Sequence, residues 1–250
     1  MGQWIVAGFW GWLAGSALLI GACMGYFIEL PQKVISAVMA FGSGVLISAI
    51  CFELMDKGVQ GGHFLYPSIG FLGGAIIYTM AAKMVNSRGG KHRKRSHDLQ
   101  PREEEDGGSG TAIAIGALLD GIPESIVIGL TILSGGSVSL VAVFAIFLSN
   151  LPEGISSSSG MKKAGRSKKY VFSLWLGIAL ISGIASIAGY TLFGHLGDNV
   201  IGLIMCLAAG AMLAMIVTTM IPEAYEEDRD WSGIITVLGF LVSFMASHLD

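Results

Sequence analysis

Charge is scarce in this sequence. Asp, Glu, Lys and Arg make up 13% of its 250 residues, too few to cover the surface of a water-soluble domain of this size. Cysteine is nearly absent. Cys23, Cys51 and Cys206 lie far apart in apolar stretches, and no CxxC or Cys/His spacing occurs. That argues against a thiolate metal site and against a disulfide framework. The net charge of -3 is no footprint for a nucleic acid partner. The N-terminal "MGQWIVAGFW" lacks the basic start and the cleavage pattern of a signal peptide, so it reads as a retained span. What is abundant is apolar: 53% of the residues are hydrophobic, and 36 are glycine, as expected where membrane helices pack closely.

A span needs about 20 mostly apolar residues. Eight candidates occur, at approximately 4–28, 32–55, 64–85, 111–133, 138–160, 170–193, 199–222 and 232–249. The expected fold is all-α: one polytopic domain over 1–250, an eight-helix bundle embedded in a lipid bilayer. Most gaps are short. The exception is "NSRGGKHRKRSHDLQPREEEDGGSG", 86–110, whose charge blocks and glycines predict a flexible loop. Orientation follows from Lys and Arg. With loops assigned alternately and both termini outside, 13 of the 15 basic residues fall on the inner side, Lys83 ends the third span and only Lys57 faces out. The loop at 86–110 is then cytoplasmic, as in a multi-pass protein of the cell (cytoplasmic) membrane.

A few acids fall inside the spans. Asp120 and Glu124 lie in the fourth, Glu153 in the fifth, Glu53 near the outer end of the second. An ionisable group in hydrocarbon costs several kcal/mol and usually faces a bundle interior or an aqueous path. Asp120 and Glu124 are four residues apart and share a helical face. Ser149 and Glu153 repeat that spacing, with Asn150 adjacent. Pro123 and Pro152 precede the two glutamates. Each lacks an N–H and frees a carbonyl four residues back, so both helices are expected to kink. A lone proline in a membrane helix is usually structural; the repeated Leu-x-x-x-Pro-Glu pattern favours an ion site. No Lys, Arg or His stands in the span interiors to neutralise these acids. They must hold protons or share a cation, and an imported divalent ion would supply that charge. Glu53 also fits simple snorkelling. His92 and His97 read as part of a solvated linker, His63, His195 and His248 as solvated ends. The serine run at 156–160 either lines an aqueous path or packs closely.

The paired motifs "DGIPES", 120–125, and "SNLPEG", 149–154, resemble the fourth and fifth helices of the ZIP (Zrt/Irt-like) divalent metal transporters, whose patterns are close to H-N-x-P-E-G and H-x-x-P-E-G. "AFGSGVLISAICFELM", 40–55, is similar to that family's second helix and "AGAMLAMIVTTMIPEAYEE", 209–227, to its seventh. The resemblance covers essentially the whole chain. It implies a transporter rather than an enzyme, without a cofactor. Its cargo would be a divalent metal ion, with zinc first and manganese, iron(II) or cadmium as alternatives. The homodimers common in the family are implied too.

The resemblance places metal ligands at Glu53, Asp120, Glu124 and Glu153, assisted by Ser149 or Asn150. This sequence departs from the pattern where Asp120 and Ser149 replace the motif histidines, Gly121 offers no side chain, and Ser186 stands where two-metal relatives carry an acid. One metal is therefore expected. An all-oxygen donor set favours manganese or iron(II) over zinc. Two other classes compete: an intramembrane hydrolase using Asp120 with a glutamate, and a membrane protein that binds metal without moving it.

Overall fold

The structure is a computed structural model and describes residues 2–59, 64–96, 100, 109–227 and 229–248. His63 and His97 lie outside the described residues. Among these every regular element is helical. The helices are α1 (Gln3–Phe27), α2 (Gln32–Val59), α3 (Leu65–Val85), α4 (Ser109–Gly135), α5 (Leu140–Lys163), α6 (Lys168–Phe193), α7 (Asp198–Glu226) and α8 (Ser232–Ser247). Seven are long and apolar enough to cross a membrane; α8, the remaining expected span, has 16 residues. At 1.5 Å per residue that is about 24 Å, short of a hydrocarbon core of about 30 Å. Its exposed side carries Ile234, Val237, Leu238, Leu241 and Met245, the outward apolar face of a helix that meets lipid.

α1 packs against α5 and α6, α3 against α7, α2 against α5 and α8, and α4 against α6. α4 and α5 share few direct backbone contacts, which leaves room between the two helices that carry the acids. Both run continuously through Pro123 and Pro152. Two other helices depart from regular α geometry. α2 widens into a π turn at Ile50–Met55, and α7 does so at Ile216–Met220. The second lies just before Pro222, which has no N–H for the carbonyl of residue 218. Thr218 and Thr219 donate to the carbonyls of Ala214 and Met215 at 2.8 and 2.7 Å. π turns recur at functional sites, and Glu53 sits in the first of them.

The segment expected as a solvated loop departs from that expectation at its start. Asn86–Gly90 forms a wide turn, broken at Arg88 and at Gly89, whose φ of 95° suits glycine. The turn sends residues 91–96 back into the bundle. Arg93, Lys94 and Ser96 are buried there, at 2%, 5% and 0% exposure. Two helical glycines make the space: a Cβ at Gly116 would collide with the Arg93 side chain, and one at Gly160 with the Arg95 carbonyl. Gly160→Val is therefore expected to expel this strap. The check is limited trypsinolysis: cleavage after Arg93, Lys94 and Arg95 should become several-fold faster while helix content by circular dichroism holds. An unchanged rate would mean that the strap is not docked in the wild type.

Candidate metal centre between α4 and α5

Asp120 and Glu124, one turn apart on α4, and Glu153 on α5 all lie inside the bundle, at 2%, 1% and 4% exposure. Glu124 is within electrostatic reach of Glu153, Lys94 and Asp120. The sequence-based expectation that no basic group neutralises these acids is corrected here. The cations come from the strap rather than from the spans. Arg93 grips Asp120 with both ends of its fork, Nε to Oδ2 and Nη2 to Oδ1, each at 2.9 Å. Tyr78 Oη donates to Asp120 Oδ1 at 2.7 Å and accepts from Arg93 Nη2 at 3.0 Å. Arg93 Nη1 donates to Asn86 Oδ1 and to the Gly90 carbonyl, at 3.2 and 3.1 Å. Such planar, two-point recognition of a carboxylate is what guanidinium geometry favours.

Lys94 reaches deeper between the acids. Its Nζ lies 2.7 Å from Glu153 Oε1 and 3.3 Å from Asp120 Oδ2, contacts set by charge more than by hydrogen-bond alignment. It also lies 3.3 Å from Met215 Sδ on α7. Burial pushes its ammonium toward neutrality, but Asp120 and Glu153 overcome that and hold it above the usual lysine range. Both oxygens of Glu124 are buried and accept no hydrogen bond among the described residues. The centre thus holds one saturated carboxylate, one paired with a tethered ammonium, and one whose oxygens have no donor.

The strap's backbone is anchored as thoroughly as its side chains. Ser157 Oγ donates to the Arg93 carbonyl at 2.5 Å. Ser156 Oγ lies 2.7 Å from the Lys94 carbonyl and 2.8 Å from Glu223 Oε1, and donates to one at a time. Gln100 Nε2 lies within hydrogen-bond distance of the carbonyls of Arg93, Arg95 and Ser157. Glu223 of α7, fully buried, accepts from the Ser96 amide at 2.9 Å and from the Ser96 hydroxyl. Arg95 pairs with Glu223 and Glu226. The serine run on α5, open in the sequence between a pore lining and close packing, supplies hydroxyls that bind the strap. His92, partly buried beside it, is held below the usual histidine range by burial and by Lys91 and Arg95.

The other expected ligands are engaged elsewhere. Ser149 Oγ donates to its own helix at the Ile146 carbonyl, 3.0 Å away. Asn150 Nδ2 donates across to the Ala14 carbonyl at 3.0 Å, a tie between α5 and α1. Glu53 is paired with Lys57 at 2.8 Å and accepts from Ser139 Oγ at 2.7 Å. Ser139 caps the N-terminus of α5, 14 residues before Glu153, or about 20 Å along the helix. The structure therefore does not join Glu53 to the other acids. Among the described residues, no three Asp, Glu, His or Cys side chains stand close enough to hold a metal in this arrangement. The site partners that the sequence does not single out are Arg93, Lys94 and Tyr78. The available signal was "RGGKHRKR", a glycine turn followed by cations directly after a span.

No curated protein gives a significant match to the chain. The family model described as the ZIP zinc transporter matches residues 82–247, about two thirds of the sequence and all of α4 to α8. The acids on α4 and α5, the strap and the α7 carboxylate all fall within that match, and on this basis the chain belongs to the ZIP zinc transporter family.

Proposed function

We propose that this chain takes up a divalent metal ion across the cell membrane through the centre between α4 and α5. Membership of a zinc transporter family makes zinc the first cargo. The observation that carries the reading is the burial of Asp120, Glu124 and Glu153 in the bundle interior, with the Glu124 oxygens lacking a donor among the described residues. Buried carboxylates without partners are costly, and a metal that binds deprotonated oxygens offsets that cost. The basic asymmetry of the loops puts both termini outside and the strap on the cytoplasmic side. Glu53, Lys57 and Ser139 then form a separate polar cluster toward the outer surface.

The all-oxygen donor set keeps a manganese or iron(II) preference as the second reading. A hydrolase is disfavoured because Asp120, its expected acid or base, is fully engaged by Arg93 and Tyr78. The test is parallel uptake of zinc, manganese, iron(II) and cadmium into proteoliposomes. Zinc flux above that of manganese and iron(II) is expected. A dominant manganese or iron(II) flux would replace zinc as cargo. Binding without flux of any ion would replace transport with storage or sensing.

A further inference from the structure

Lys94 has no place in the transport reading so far, yet it is the group that sits between the acids. We infer that Lys94 is a tethered stand-in for the metal: its ammonium takes the cation's position at Asp120 and Glu153, and metal loads only as the strap 93–96 withdraws. This rests on the reading of the centre as the transport site.

Three observations support it independently of one another. The first is charge. In a bundle interior, an empty pair of carboxylates would repel or take up protons. The 2.7 and 3.3 Å contacts of Nζ with Glu153 and Asp120 remove that problem without an imported ion. The second is design of the docking surface. The strap's carbonyls meet Ser156, Ser157 and the Gln100 amide, and two glycine surfaces, Gly116 and Gly160, are shaped to it. A loop pressed against helices by chance would leave buried carbonyls unpaired. The third is position. Arg95 and Ser96 hold Glu223, so the same segment that fills the centre is also tied to the α7 carboxylate at the basic end of the bundle.

The arrangement sets a threshold on cargo charge. A sodium or potassium ion gains no Coulomb energy over the ammonium already present, and it would compete with a ligand that is covalently attached. A divalent ion brings a second unit charge, which doubles its attraction to the same carboxylates. Lys94 thus acts as a specificity-determining residue by competition.

The experiment is zinc titration of the full-length protein in detergent, followed by calorimetry, for wild type, Lys94→Gln and Lys94→Arg. Lys94→Gln is expected to bind zinc at least ten-fold more tightly than wild type, and Lys94→Arg to remain near wild type because it keeps the competing charge. Equal or weaker binding by a monodisperse Lys94→Gln overturns the inference while leaving the metal centre intact. Absence of zinc binding by both wild type and Lys94→Gln overturns the metal centre and the inference together. Should Lys94→Gln fail to fold, the wild type decides: zinc is expected to accelerate tryptic cleavage within 93–95, and an unchanged or slower cleavage overturns the inference.

Discussion

Proteoliposomes carrying the Glu124→Ala/Glu153→Ala double variant are expected to lose zinc flux by about 100-fold or more, since even residues behind a metal's direct ligands cost 10–100-fold when removed. The fold should survive the change. Among the described residues Glu124 makes no hydrogen bond that its loss would orphan. Removing Glu153 leaves Lys94 beside Asp120 at 3.3 Å, a carboxylate it then shares with Arg93. Intact helix content and a monodisperse elution profile verify this. Ser149→Ala is the matched control, because its hydroxyl is already spent on the Ile146 carbonyl, and its flux should stay near wild type. Zinc flux in the double variant within a few-fold of wild type would remove the α4–α5 carboxylates from the transport path. The basic-end acid Glu223 would then be the next residue to test.

Helices were easy to read from this sequence because the apolar runs have the length of a bilayer and the breaks between them are polar. The carboxylates of α4 and α5 were legible for a related reason: an acid in a run of Leu, Ile and Val is an exception that physics makes expensive. The strap was not legible, and the cause is specific. Residues 91–95 are all basic except for His92, and they precede the acidic run 103–106; composition of that kind signals solvation. Burial of Arg93 and Lys94 is possible only because Asp120 and Glu153 lie opposite, a pairing between residues 27 and 59 positions apart that no local window contains. Glu53 is a different case. Its helix position resembled that of a ligand, but Lys57, one turn on, and Ser139, at the start of α5, claim both its charge and its hydrogen bonds. Asn150 uses its amide nitrogen as a strut to α1, while its buried Oδ1 has no hydrogen-bond partner among the described residues. In each case partner choice, rather than residue type, decided the outcome.

Breaking the Arg93–Asp120 pair is expected to destabilise the protein, by unequal amounts for its two members. Both side chains are 2% exposed, so solvent does little to soften the loss of a partner. Asp120→Asn leaves the guanidinium, which stays protonated in any folded state, without a full counter-charge; the nearest alternative charge, Glu153, is already engaged by Lys94. The expected loss is about 3–5 kcal/mol of stability. Arg93→Gln leaves Asp120 with Lys94 at 3.3 Å and the Tyr78 hydroxyl at 2.7 Å, so the loss should be smaller, about 1–3 kcal/mol. The Arg93→Met/Asp120→Leu double variant removes both charges and fills similar volume, so it should recover most of the loss in the Asp120→Asn variant, because apolar replacement of a buried pair is often neutral or better. Thermal unfolding midpoints in one detergent, followed by the near-ultraviolet signal of Trp175 and its neighbours, order the variants. The order expected is Asp120→Asn lowest, then Arg93→Gln, with the double variant nearest wild type. Equal midpoints for the two single variants, with no recovery in the double, would mean that the pair is not made in the folded protein, and the strap would lose its main anchor.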